Sequence, residues 1–187
     1  MMRKQELTDL LNEKAEYYEK AFFVEHDPIQ IPHRFTKKED IEISGFLTAV
    51  IAWGQRKTII NNATKLVELM DNAPHDFILH HSESDLKPFT SFVHRTFNAD
   101  DLLYFISALK RCYTECEGLE VWMTKHPLDP STNLSHFKKT FFEGEHLKRS
   151  QKHLPDPIKK SSAKRMNMFL RWMVRPADYG VDFGLWK

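Results

Sequence analysis

Apolar residues recur along this chain at intervals of three and four, the period that lays one stripe along an α-helix. Leu7, Leu10, Leu11, Tyr17, Tyr18 and Phe22 predict a first helix from about Gln5 to Phe23. The stretch His26 to His33 contains Pro28 and Pro32 and reads as an extended structural loop, its Asp27 and two histidines included. Ile43, Phe46, Leu47, Val50 and Ile51 form a wide stripe on a second helix that starts near Lys38, so this helix is expected at the centre. Gly54 is a natural stop for it. A third helix follows from Thr58 to Asp71, then a short one from Pro74 to His81. Asn98 or Asp100 caps a fifth, which runs to about Glu117. Leu119 to Lys125 and Thr132 to Glu143 predict two further short helices, and residues 144–160, basic and broken by prolines, predict a loop.

The last strong period lies in Lys159 to Arg175. Met166, Phe169, Leu170, Met173 and Val174 make the apolar stripe, with Ser161 or Ser162 expected as the cap. Lys164, Arg171 and Arg175 fall on the opposite side. These elements predict one all-α domain over residues 1–187, with few glycines (6) and prolines (9) to break it.

Charge changes this picture. The net charge is only +1, but residues 138–175 hold 11 Lys/Arg against 3 Asp/Glu, giving +8. The remainder holds 16 against 23, giving −7. Either one face meets a polyanion or the two segments neutralise each other. Cys112 and Cys116 lie four apart without a second pair or a His cluster, which is no zinc signature, so neither metal nor cofactor is expected. No phosphate-binding loop, dinucleotide fingerprint or Gly-x-Ser-x-Gly elbow is present. The charged N-terminus is not a signal peptide, and no apolar run reaches the ~20 residues of a membrane span. A cytoplasmic protein without a membrane partner is expected.

Several segments carry a resemblance: PHRFTKKEDIEISGFLTAVIAWGQRKTIINNATKLVELMDNAPHDFI, FVHRTFNADDLLYF and SSAKRMNMFLRWMVRPADYGVDFGLW. They closely resemble a bacterial family of unknown function that is itself similar to helix-hairpin-helix DNA glycosylases, most nearly the archaeal 8-oxoguanine type. The resemblance implies a glycosylase-like helical fold with the hairpin at about 155–175. Those enzymes open a helix with a lysine in a pattern like Gly-x-Lys-x-Ala-x-x-Phe-Leu-Arg, and Lys164 with Phe169-Leu170-Arg171 matches it in register. Lys164 is then the Schiff-base nucleophile, which must act as a neutral amine; Lys160, Arg165 and a helix start nearby disfavour its charged form. Trp53-Gly54-Gln55-Arg56 resembles the polar turn that inserts beside an extruded base.

The sequence departs from that pattern in two ways. Lys160 and Ser162 stand where the hairpin glycines would be. The related family also continues into a Leu-Asp-Thr-His-like segment, whereas this chain stops at Lys187, leaving Asp182 as the only substitute for the partner aspartate. The expectation is a C-terminally incomplete domain whose Phe183, Leu185 and Trp186 stay uncovered and self-associate. The implied function is DNA binding through Gln55, Arg56, Lys57, Lys160, Ser162, Arg165, Arg171 and Arg175. Base excision on oxidised-purine DNA would proceed through Lys164 and Asp182. The alternative is a non-catalytic nucleic-acid-binding or interaction module that keeps the fold and the basic face.

Overall fold

In a computed structural model, which describes residues 3–124 and 129–187, eight α-helices form among the described residues. They are α1 Lys4–Tyr18, α2 Lys38–Ile51, α3 Arg56–Leu69, α4 Pro74–His80, α5 Ala99–Glu115, α6 Leu119–Thr124, α7 Pro130–Phe141 and α8 Lys164–Val174. The chain is mostly helical, as the periodicity predicts. The described strands are one antiparallel hairpin, β1 Val93–His94 with β2 Phe97–Asn98, in which His94 faces Phe97. None of the described helices is long and apolar enough to cross a membrane.

The helix ends follow local chemistry. Asn98 caps α5, its side chain accepting the Asp101 N–H while Asp101 accepts that of Asn98. Asp129 caps α7 from one turn earlier than expected, accepting the Ser131 and Thr132 N–H groups at 3.0 and 3.1 Å. Lys125, the expected end of α6, lies outside the described residues. The stretch after α1 is not extended. It winds into short 3-10 turns over Ala21–His26, Pro28–Gln30 and Pro32–Arg34, because each proline opens a turn with its φ already helical. Residues 144–160 likewise contain 3-10 turns at Lys148–His153 and Pro157–Lys159.

Helix α2 is the axis of the molecule. Every residue from Ile41 to Ile51 is buried, so the other elements enclose it. Phe46 is the point where four helices meet. Its ring lies 6.2 Å from Phe105 on α5, 5.8 and 5.7 Å from Phe137 and Phe141 on α7, and 5.8 Å from Phe169 on α8. The two strongest predicted stripes, on α2 and α8, therefore do share one core.

After α8 the chain folds back on it. Phe183 and Trp186 donate their backbone N–H groups to the Trp172 and Met173 carbonyls at 2.8 and 2.9 Å, satisfying acceptors near the end of α8. The Trp186 ring sits edge-on to Phe169, is 3% exposed, and donates its Nε1–H to Glu42 at 2.7 Å. His33 donates to the Val181 carbonyl at 2.8 Å and lies against the Phe183 ring. The expected uncovered face at Phe183, Leu185 and Trp186 is thus not found. A buried acceptor on α2, invisible to periodicity, draws Trp186 inward, while Phe183 and Leu185 are half-buried against the core.

Two measurements test this core. Phe46→Ala should lower stability by about 3–5 kcal/mol in denaturant unfolding, since a ring on α2 that packs against three other helices leaves a cavity that none can fill alone. Glu42 should make stability pH-dependent. Burial raises its carboxyl pKa, against the opposing effects of the Tyr113 hydroxyl, the Trp186 N–H and Lys38. A raised value means that its contribution is complete below the ordinary glutamate range and is lost as pH rises through the folded-state value. Glu42→Gln should therefore gain stability relative to wild type as pH rises above the ordinary glutamate range. A difference that does not change with pH would show that Glu42 keeps its ordinary value.

Candidate nucleic-acid interface

The hairpin before α8 is fixed from its outer side by α7. Ser135 donates to Asp156 at 2.7 Å, and Lys138 donates to the Leu154 carbonyl at 2.7 Å. The chain then turns through two left-handed residues, Lys160 at φ 66° and Ala163 at φ 48°. A left-handed conformation costs a non-glycine residue roughly 1–2 kcal/mol. The first coincides with a position where hairpin glycines were expected; the second falls one residue after Ser162.

Neither serine caps α8. Ser161 instead accepts the N–H of Ala163 at 3.2 Å, and the Ser162 carbonyl accepts from the Asn167 side chain at 3.1 Å. Ala163 is the N-cap residue, without a side-chain acceptor, and Lys164 is the first residue of α8 and is exposed. The first backbone bond of the helix runs from Asn167 to Ala163, so the N–H groups of Lys164, Arg165 and Met166 have no intrahelical acceptor.

Arg165, beside Lys164, faces the other way. It donates to the Val50 carbonyl at the end of α2 and, at 3.4 Å, to the His153 carbonyl. Its guanidinium lies 4.7 Å from the Trp53 ring centre, and burial lowers its pKa. Arg165 is therefore an internal brace between α2 and the hairpin loop, and no longer a candidate DNA contact. Sequence spacing could not show this, because the carbonyls it serves are remote in the chain.

Below the brace lies a buried polar network. Asp101, at the start of α5, accepts from Ser150 at 2.6 Å, from His153 at 3.1 Å and from Arg149 at 3.0 Å. Arg149 also donates to Asn98 and to the Thr96 carbonyl, which ties the β-hairpin to the same loop. Burial lowers the pKa of His153 despite the opposing pull of Asp101. Ser150, His153 and Asp101 do not form a nucleophilic triad, since serine and histidine both bond the carboxylate and not each other.

The second basic element is the turn between α2 and α3. Gly54 holds φ 104°, and Gln55, Arg56 and Lys57 follow it, all exposed. Gln55 is the N-cap residue of α3 but makes no side-chain cap. Arg56 lies near the half-buried Asp27, whose pKa burial raises although the Ile29 N–H and the charges of Arg56 and Arg171 oppose this.

Arg171 and Arg175 are held by acids. Both reach Oδ2 of Asp182, at 3.3 and 3.6 Å, and Arg175 also pairs with Glu19 beyond the end of α1. Asp182 is 5% exposed, and its Oδ1 has no hydrogen-bond partner among the described residues. Arg171 and Arg175 stand about two and three turns beyond Lys164 on α8, roughly 10–16 Å along the axis. Lys164 and Asp182 are therefore not brought together; Asp182 anchors the far end of the helix. Sequence reasoning missed Arg95 and Arg149, whose short hairpin and loop settings carry no periodic signal. Among the described residues, no group of three His, Cys, Asp or Glu side chains converges as a metal site requires.

Arg165→Lys should lower stability by about 1–3 kcal/mol, because an ammonium cannot span two carbonyls and lie flat on Trp53. Thermal melts would check this; an unchanged melt would mean that Arg165 braces nothing.

A family model described as "Protein of unknown function (DUF2400)" matches residues 27–187, so the match covers α2 to α8 and the tail but not α1. No curated protein and no solved structure matches the chain.

Proposed function

The chain belongs to this family of proteins of unknown function, and we propose that it is a DNA-binding domain of the helix-hairpin-helix glycosylase kind, with Lys164 as an amine nucleophile toward oxidised-purine or abasic nucleotides. The observation that carries this reading is the contrast at the start of α8: Lys164 is exposed after a strained hairpin, while its neighbour Arg165 is turned inward. Strain of this kind persists where the surroundings enforce it, which is common at functional sites.

In this reading the extruded nucleotide presents C1′ to Nζ of Lys164. The amine donates its electron pair to C1′, and the glycosidic bond breaks. The base leaves with that bond's electrons and a proton, and opening of the sugar ring at O4′ completes the imine. On an abasic site the aldehyde and the amine condense to the same imine with loss of one water. The backbone N–H groups at the start of α8, which lack intrahelical acceptors, would with Lys160 donate to a phosphate of the same strand.

One finding favours the second reading, a binding module without catalysis. Asp182 is held by Arg171 and Arg175, so it is not the carboxylate that would steady a cationic sugar beside Lys164.

Borohydride trapping on abasic duplex DNA separates the two, since hydride reduces only an imine to a stable secondary amine. Wild type should give a covalent adduct. Lys164→Gln should abolish it while leaving binding within about tenfold, or about 1.4 kcal/mol. Trapping by the variant would assign another amine. No trapping by wild type, with binding intact, would leave the binding module.

A further inference from the structure

After α1, the arginines sort into two groups. Arg34, Arg111, Arg149, Arg165, Arg171 and Arg175 each donate to an acceptor within the protein. Arg56 and Arg95 make no hydrogen bond or ion pair with a described residue. Both lie at Gly54. Arg56 follows it by two residues, and the Arg95 guanidinium rests on it, so that a Cβ added to Gly54 would stand 3.0 Å from Arg95 NH1.

This placement is built. Arg95 is a left-handed residue, at φ 55°, in the turn of the β-hairpin. The preceding His94 is 1% exposed and locks the hairpin to the α2–α3 turn: its Nε2 donates to the Trp53 carbonyl at 3.1 Å, and its Nδ1 accepts from Asn62 at 2.8 Å. Burial, with the charges of Arg95 and Arg165, lowers the pKa of His94, in keeping with a neutral ring that donates and accepts. On the other strand Phe97 packs against His153, and Arg149 bonds the Thr96 carbonyl. The hairpin is therefore pinned on both sides, and the free guanidinium at its tip is held over a glycine. Neither cation is bonded to an acid among the described residues, so each keeps its hydrogen-bonding capacity for an external anion. Asp27, the acid nearest Arg56, is half-buried and already bonds the Ile29 N–H.

We propose that Arg56, in the α2–α3 turn two residues after Gly54, and Arg95, laid over Gly54 from the β-hairpin, form a phosphate-binding pair that grips the DNA backbone at a second point, apart from the loop before α8. The proposal rests on the DNA-binding reading above and adds the β-hairpin to the interface. Gly54 serves it twice: its positive φ turns the chain, and its missing Cβ leaves room for Arg95.

The test is binding of the whole chain to a labelled duplex carrying a tetrahydrofuran abasic analogue, followed by fluorescence anisotropy across a salt series. Arg56→Ala and Arg95→Ala should each weaken binding several-fold and reduce the slope of log K against log salt by about one. Arg56→Lys and Arg95→Lys should restore most of the slope. Thermal melts of both alanine variants should match wild type, since neither side chain has an internal bond to lose. Alanine variants with wild-type affinity and slope would overturn this proposal alone and leave DNA binding standing. No binding by wild type at about 50 mM salt would overturn it together with the DNA-binding reading.

Discussion

Asp101 is fully buried, so its charge has to be met from within the protein, and the groups that meet it all belong to segments that carry the candidate interface. Arg149, Ser150 and His153 come from the loop before α8, and Asn98 from the β-hairpin. A buried carboxylate left without such partners is strongly destabilising, so the loop cannot leave without a large penalty. This explains how a segment rich in lysine and proline, with only 3-10 turns, holds one path over the end of α5. It also makes the β-hairpin, the loop and α8 one mechanical unit: Arg165 extends the network from the His153 carbonyl to α2, and the Trp53 ring packs with both the Arg165 guanidinium and the His153 ring.

That division of labour separates neighbours that look alike in sequence. Lys164 and Arg165 are both cations at a helix start, yet one is exposed and the other braces two carbonyls. An arginine suits the inward place because its planar fork bonds two acceptors while its face covers an aromatic ring. In the reading proposed above, a lysine suits the outward place, because a single amine on a flexible stem is what nucleophilic attack would use. The same logic distinguishes Arg56 and Arg95 from Arg171 and Arg175, which Asp182 holds against the fold.

The helices were legible in the sequence because their apolar residues recur at helical spacing, and α2 stood out as central because its apolar stripe is wide. What was hidden depended on partners far along the chain. The tail was expected to be uncovered because the resemblance implied a further segment packing over Phe183, Leu185 and Trp186, but Glu42 on α2 accepts the indole N–H and fixes Trp186 inward. The cap of α8 was assigned to a serine from residue type alone, whereas Ala163, a left-handed residue, holds the N-cap position and the Ser161 side chain accepts the Ala163 N–H instead. Of the candidate site, Lys164 and the exposed Gln55-Arg56-Lys57 turn were readable, as helix-start and turn residues. The inward roles of Arg165 and Asp182, and the relevance of Arg95, were not, since they depend on which distant carbonyl, acid or glycine stands opposite.

The charge count of the sequence needs the same correction. The +8 of residues 138–175 suggests a broad polyanion-binding face, but much of that charge has an internal partner. Lys159 lies by Asp156, Arg149 by Asp101, and Arg171 and Arg175 by Asp182, while Lys138 and Arg165 donate to backbone carbonyls. A cation already engaged by an acid contributes less to counterion release, because binding a phosphate then means weakening an existing bond. Affinity for a polyanion should therefore depend on fewer positions than the formal charge implies. Arg56 and Arg95, the pair proposed to take a phosphate, lie outside the basic segment, in regions whose summed charge is negative. Where a side chain finds its acceptor, more than the local density of lysine and arginine, decides which part of this surface remains open to a phosphate backbone.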